Sequence, residues 1–115
     1  MKALLIPIDG PPREVDLPGG GGTRFMRSLR TLIGTRCAER IWLTNRWEAW
    51  LDEDGAAAGK PANQAATLVA RSFGARFSLR GTVVITGLEK DTAGPSALSP
   101  DQVDAILGKI SAPAT

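Results

Sequence analysis

The sequence predicts an α+β fold in a single domain, and three observations carry that reading. Short apolar runs with strand-like alternation recur in both halves of the chain. Gly- and Pro-rich turns separate them. Between them lie three segments with helix start or stop signals, two of which also carry apolar residues at helical spacing. The predicted order is ββαββαβα: about five strands in an antiparallel or mixed sheet, with three helices mainly on one face.

Residues 2–8 read as the first strand, with Pro7 confining that end to an edge or a bulge. Asp9-Gly10-Pro11-Pro12 is a turn, and the alternating run Arg13–Leu17 is the expected hairpin partner. Gly19–Gly22 reads as a flexible connection to a helix capped by Thr23 and stopped by Gly34. Phe25, Leu29, Leu32 and Ile33 share one face of that helix, and Arg24, Arg27 and Arg30 lie on the other.

Arg40–Thr44 and Ala49–Asp52 read as the next two strands. Asn45 with Glu48 three residues later also fits a capping box, so the segment between them reads as either a turn or a short helix. Asn63 caps a helix over 64–73 with Gly74 as its stop. Phe77, Leu79, Val83 and Ile85 mark a strand over 76–86, bent at Gly81, and 87–97 reads as a polar loop. Ser99, Pro100 and Gln102 form a complete helix start, with Leu98 and Val103 as its staple. Val103, Ile106, Leu107 and Ile110 then make the core-facing stripe. The domain is expected over 1–111, with a frayed tail over 112–115.

Composition excludes several kinds of chemistry. The 115 residues include no His, which removes imidazole bases and every His-containing zinc site. Cys37 is the single cysteine; it reads as a small buried or half-buried side chain, and it cannot form an internal disulfide. No metal site and no cofactor is expected. The apolar run Ala3–Ile6 is too short for a signal peptide or a membrane span, so the expected location is the cytoplasm.

The chain resembles a known family in several stretches. They are Met1-Lys2-Ala3-Leu4-Leu5-Ile6-Pro7, Leu29-Arg30-Thr31-Leu32-Ile33-Gly34 and Trp50-Leu51-Asp52-Glu53-Asp54-Gly55, followed by Lys60-Pro61-Ala62-Asn63-Gln64-Ala65-Ala66-Thr67 and Gly81-Thr82-Val83-Val84-Ile85-Thr86-Gly87. Together these resemble the family catalogued as Domain of Unknown Function 3846, from actinobacteria and their phages. The four-glycine run and the Arg- and Trp-rich segment 36–50 depart from its pattern. The resemblance implies a small phage- or mobile-element-type accessory protein and implies no activity. Pro61-Ala62-Asn63 is explained by a loop exit and a helix cap.

Candidate chemistry is sparse. Gly19–Gly22 lacks the Lys-Ser/Thr pair that a phosphate loop needs. Asp52–Gly55 lacks the further oxygen ligands of a calcium loop and reads as a charged turn. Asp101 and Asp104 suit the dipole at a helix start.

The net charge is only +2, but it is unevenly spread. Arg24, Arg27, Arg30, Arg36, Arg40 and Arg46 face Glu39 alone, and the acidic stretch Glu48–Asp54 follows. Trp42, Trp47 and Trp50 are the candidate partner-binding residues. Arg24, Arg27, Arg30 and Arg40 are the candidate nucleic-acid or anion-binding residues. The leading expectation is a non-enzymatic module that binds a protein, for instance a host factor. The alternative is a nucleic-acid-binding module using the Arg-rich helix and the Trp segment. A small-ligand binder or an enzyme without His stands as a third reading and would need a pocket. No membrane partner is expected, and a homo-oligomer is compatible with all three.

Overall fold

The structure is a computed structural model, and it describes residues 1–44, 46–92 and 94–111. Strands β1 (Lys2–Ile6) and β2 (Arg13–Asp16) form the expected antiparallel hairpin, with Leu4 opposite Glu14. Helix α1 (Thr23–Ile33) follows, then the antiparallel pair β3 (Ala38–Trp42) and β4 (Trp47–Asp52). Helix α2 (Gln64–Ser72), strand β5 (Val83–Leu88), the two-residue strand β6 (Pro95–Ser96) and helix α3 (Pro100–Ser111) complete the order. The sheet runs β2-β1-β5-β4-β3, with β6 beside β5, and every pairing is antiparallel. The expected α+β class and element order stand, with β6 as one added strand.

The helices cover both faces of the sheet rather than mainly one. Leu4, Ile6, Trp47, Ala49, Leu51, Val83 and Ile85 pack with α2 and α3. Ala3, Leu5, Trp50 and Val84 pack with Phe25, Leu29 and Ile33 of α1. The physical reason lies in the central strands. Apolar side chains at successive positions point to opposite faces of a strand, so runs such as Ala3-Leu4-Leu5-Ile6 need cover on both sides. Each large side chain buried this way contributes about 1.5–3 kcal/mol before the ordering cost is counted.

Several local expectations shift. Gly22, not Thr23, is the N-cap of α1, and it makes no side-chain cap bond. Of the four glycines only Gly21 is closely packed: a Cβ there would stand 2.9 Å from the Pro95 ring, and its φ of +68° favours glycine, whereas Gly19, Gly20 and Gly22 have open space around them. Trp47 and Glu48 belong to β4, so the short helix drawn from Asn45 and Glu48 does not form; Asn45 itself lies outside the described residues.

The strand expected over 76–86 forms only from Val83. Leu79 is buried, but its backbone N–H donates to Thr67 Oγ1 at 3.0 Å and its carbonyl accepts from the Asn63 backbone N–H at 2.7 Å. Bonds to the start of α2 therefore replace a strand ladder there. The expected box at α3 is present in both directions: the Ser99 N–H donates to Gln102 Oε1 at 2.8 Å, and the Gln102 N–H to Ser99 Oγ at 3.2 Å. The expected tail over 112–115 lies outside the described residues. No helix among the described residues is long and apolar enough to cross a membrane.

Candidate functional site

Helix α1 docks through Phe25, Leu29 and Ile33, which are buried. That orientation turns Arg24, Arg27 and Arg30 outward, and all three are exposed. Arg27 and Arg30 are one turn apart on one side of the helix. Gly34 ends the helix in a left-handed conformation, its N–H donating to the Arg30 carbonyl at 2.8 Å. The chain then turns back and carries Arg36 to the same place. Arg27, Arg30 and Arg36, with Thr23, Thr31 and Thr35, line an open cleft of about 680 Å3.

The loop that presents Arg36 is tied down from below. Thr35 Oγ1 donates to Asp52 Oδ1 at 2.8 Å and accepts from the Cys37 N–H at 3.1 Å. Lys60 Nζ lies 2.7 Å from Asp52 Oδ2 and donates to the Gly34 carbonyl at 3.4 Å. The Lys60 hydrogen bond, followed by the backbone N–H of Asp54 and the Thr35 hydroxyl, lowers the Asp52 carboxyl below its ordinary pKa. Asp52 is 7% exposed and spends its charge on this lock. No residue lining the cleft is acidic, and Arg27, Arg30 and Arg36 make no ion pair among the described residues.

Arg40 is placed differently from the other three sequence candidates. It rises from β3 on the α1 side of the sheet, 3.6 Å from Glu48 and 5.9 Å from the Trp50 ring centroid. Glu48 is wholly buried, and its carboxylate oxygens find no hydrogen bond among the described residues. Burial pushes its pKa up, and the Arg40 charge opposes that shift.

The three tryptophans do not form one exposed surface. Trp50 is buried beneath α1, edge-on to Phe25 at 5.5 Å, with its indole N–H donating to Thr86 Oγ1 at 2.9 Å. Trp47 is buried on the opposite face against Phe73 at 5.2 Å. Both belong to the core because β4 is central and covered on each side. Only Trp42, on the edge strand, is open to solvent at 59% exposure. With Ile41, Leu43, Phe73, Ala75 and Phe77 it borders a recess of about 250 Å3.

Two residues are absent from the sequence-based candidates. Arg36 counts in the basic block but not among the candidate binding residues, because it lies beyond the helix stop; its signal is the tight turn that a glycine C-cap imposes. Phe77 is exposed because its segment is not a strand.

The remaining candidates have plain structural roles or none. Asn63 is buried; it caps α2 through Oδ1 and donates from Nδ2 to the Ile6 and Gly81 carbonyls, each at 2.9 Å. Asp101 and Asp104 are exposed on α3. Cys37 is exposed rather than buried, because it precedes the edge strand β3. No group of three or more His, Cys, Asp or Glu among the described residues could hold a metal ion.

A family model described as domain of unknown function, DUF3846, matches residues 1–111. No curated protein and no solved structure matches the chain.

Proposed function

The chain belongs to the DUF3846 family, and we propose that it is a small non-enzymatic accessory protein of phage or mobile-element type that binds nucleic acid in the cytoplasm. One observation carries the binding reading: Arg27, Arg30 and Arg36 converge on a single cleft with no acidic neighbour in its lining. Guanidinium groups without carboxylate partners retain their charge for phosphate oxygens, which they bind in a bidentate fashion. The exposed Arg24 extends the same basic strip toward the N-terminal end of α1. A lone thiol such as Cys37 is ordinary in a reducing compartment, which fits the cytoplasm.

The order of the two leading sequence readings is thereby reversed. Burial of Trp47 and Trp50 removes most of the aromatic surface on which the protein-binding reading rested. What favours that reading still is Trp42, exposed beside Phe77 at the sheet edge.

Fluorescence anisotropy with labelled single-stranded and duplex oligonucleotides tests the proposal. The expected result is binding that weakens steeply with salt and is lost when Arg27, Arg30 and Arg36 are all changed to Gln. Binding indifferent to the triple change, or no binding at low salt, would overturn it.

A further inference from the structure

We propose that the basic cleft holds the sugar–phosphate ridge of a double helix and reads no base, so that it takes duplex over single-stranded nucleic acid without regard to sequence. This rests on the nucleic-acid reading above and adds to it the form of the ligand.

The first observation is where the aromatic side chains lie. Proteins hold the splayed bases of a single strand by stacking them on aromatic rings. The chain has six aromatic residues, three Trp and three Phe. Phe25, Trp47 and Trp50 are buried, and Phe73 is half-buried against Trp47. The two exposed ones, Trp42 and Phe77, border the recess between β3 and the end of α2, and neither lines the cleft. The cleft therefore offers charge and no ring. A single strand gains nothing there for its bases, whereas a duplex presents one phosphate charge per about 1.7 Å of its axis.

The second observation is the chemistry of the lining. Adenine edges are read by Asn or Gln, cytosine by Asp or Glu, and guanine by Arg or Lys. The lining contains none of the first four. Thr31 and Thr35 donate their hydroxyls internally, to the Arg27 carbonyl at 3.0 Å and to Asp52 Oδ1 at 2.8 Å. Arg27, Arg30 and Arg36 are left as the charged donors of the lining.

Shape decides what those arginines reach. Base edges lie at the floor of a groove and are read by an element that enters it. The cleft is a depression between α1 and the loop after Gly34, so it receives what projects from a duplex. What projects is the sugar–phosphate ridge, which positions a protein and carries no direct sequence information. The ridge is common to DNA and RNA duplexes.

Competition anisotropy with a labelled DNA duplex, read together with tryptophan emission, tests this. Unlabelled DNA duplexes of unrelated sequence should displace the probe alike, and an RNA duplex of the same length should displace it too. Oligothymidylate should displace it at least about fivefold less well at equal nucleotide concentration. Tryptophan emission should not change on saturation, because Trp42, the exposed indole, stands outside the cleft. Oligothymidylate as effective as the duplex would overturn the inference, as would emission quenched by bound bases or an RNA duplex that fails to displace. So would a preference of about tenfold or more for one duplex sequence, the mark of a base contact. Provided the triple change of Arg27, Arg30 and Arg36 to Gln still abolishes binding, each of these results leaves the nucleic-acid reading standing. No binding of either form, or binding untouched by the triple change, would overturn both.

Discussion

Glu48 Oε2 sits 3.6 Å from Arg40 Nη1, with the carboxylate wholly buried and the guanidinium side chain 40% exposed. The two are diagonal neighbours across β3 and β4, since Arg40 is opposite Trp50 and Trp42 opposite Glu48. The pair is unequal. Glu48 loses its hydration without gaining hydrogen bonds, whereas Arg40 keeps part of its hydration. Burial raises the Glu48 pKa above its ordinary value of 4.5. Between 4.5 and the folded value the native state binds more protons than the unfolded chain. Stability should therefore fall as pH rises through that window and stay lower above it. Glu48→Gln should abolish this fall and raise the melting temperature at pH 7. A less stable Gln variant at pH 7 would show that the ion pair outweighs the burial.

Asp52 supplies the opposite slope. Its pKa is depressed below 3.8, chiefly by Lys60, so the Lys60 lock stabilises the fold above 3.8 and is lost as pH falls through the lower folded value. Asp52→Asn should flatten the acid limb of a stability–pH profile measured by urea unfolding. The same variant should loosen the loop carrying Arg36, since Thr35 and Lys60 both hold that carboxylate. An unchanged acid limb would refute the assignment.

How much of this was legible in the sequence depended on whether local signals decided the outcome. The α3 start was readable because Ser99, Pro100 and Gln102 act within one turn, and the Asn63 cap was readable for the same reason. The strand drawn through Phe77 and Leu79 failed because Leu79 bonds to Thr67 of α2, twelve positions away, rather than to a neighbouring strand, while Phe77 stays exposed. Trp50 was the harder case. Its strand neighbours Glu48 and Asp52 mark a polar face, yet that face is covered by α1, and only the tertiary fold shows it. The basic helix face was legible from periodicity, whereas its convergence with Arg36 required the turn at Gly34.

Asn63 should tolerate no replacement. Its side chain closes three hydrogen bonds in a fully buried position: one to the start of α2 and two that join β1 and the segment before β5. Asn63→Ala removes the cap and leaves the Ile6 and Gly81 carbonyls unpaired, a loss of about 3–5 kcal/mol. Asn63→Asp keeps the acceptor for the Ala66 N–H but cannot donate to the two carbonyls, so it should be comparably destabilising. Chemical denaturation measures both, and an Asp variant of wild-type stability would contradict the geometry.

Gly87 should resist substitution for a purely steric reason. A Cβ there would stand 2.6 Å from Ser96 Oγ and 3.0 Å from the Ala97 carbonyl oxygen, because β6 pairs with β5 at this position, Gly87 opposite Ser96. Gly87→Ala should cost about 1–3 kcal/mol through this overpacking. Gly19→Ala meets no atom within 4 Å and should be near neutral. Equal melting temperatures for the two variants would mean that β6 does not hold its place against β5.

The cleft itself predicts a ranking among the arginines. Arg24 is exposed but lies outside the cleft lining, Arg40 is engaged with Glu48, and Arg27, Arg30 and Arg36 face the shared space. If each of the last three makes one phosphate contact, the logarithm of affinity for duplex DNA should fall against the logarithm of salt with a slope steeper by about 2.7 than in the triple Gln variant. Single-stranded DNA should show a difference of about 2. Arg36→Gln alone should remove about a third of that difference, although sequence periodicity along α1 never pointed to it. Arg24→Gln should change the slope less than Arg36→Gln. The reverse order, with Arg24 dominant and Arg36 silent, would place the nucleic acid along the outer face of the helix and not in the cleft, and the geometric basis of the proposed function would fail.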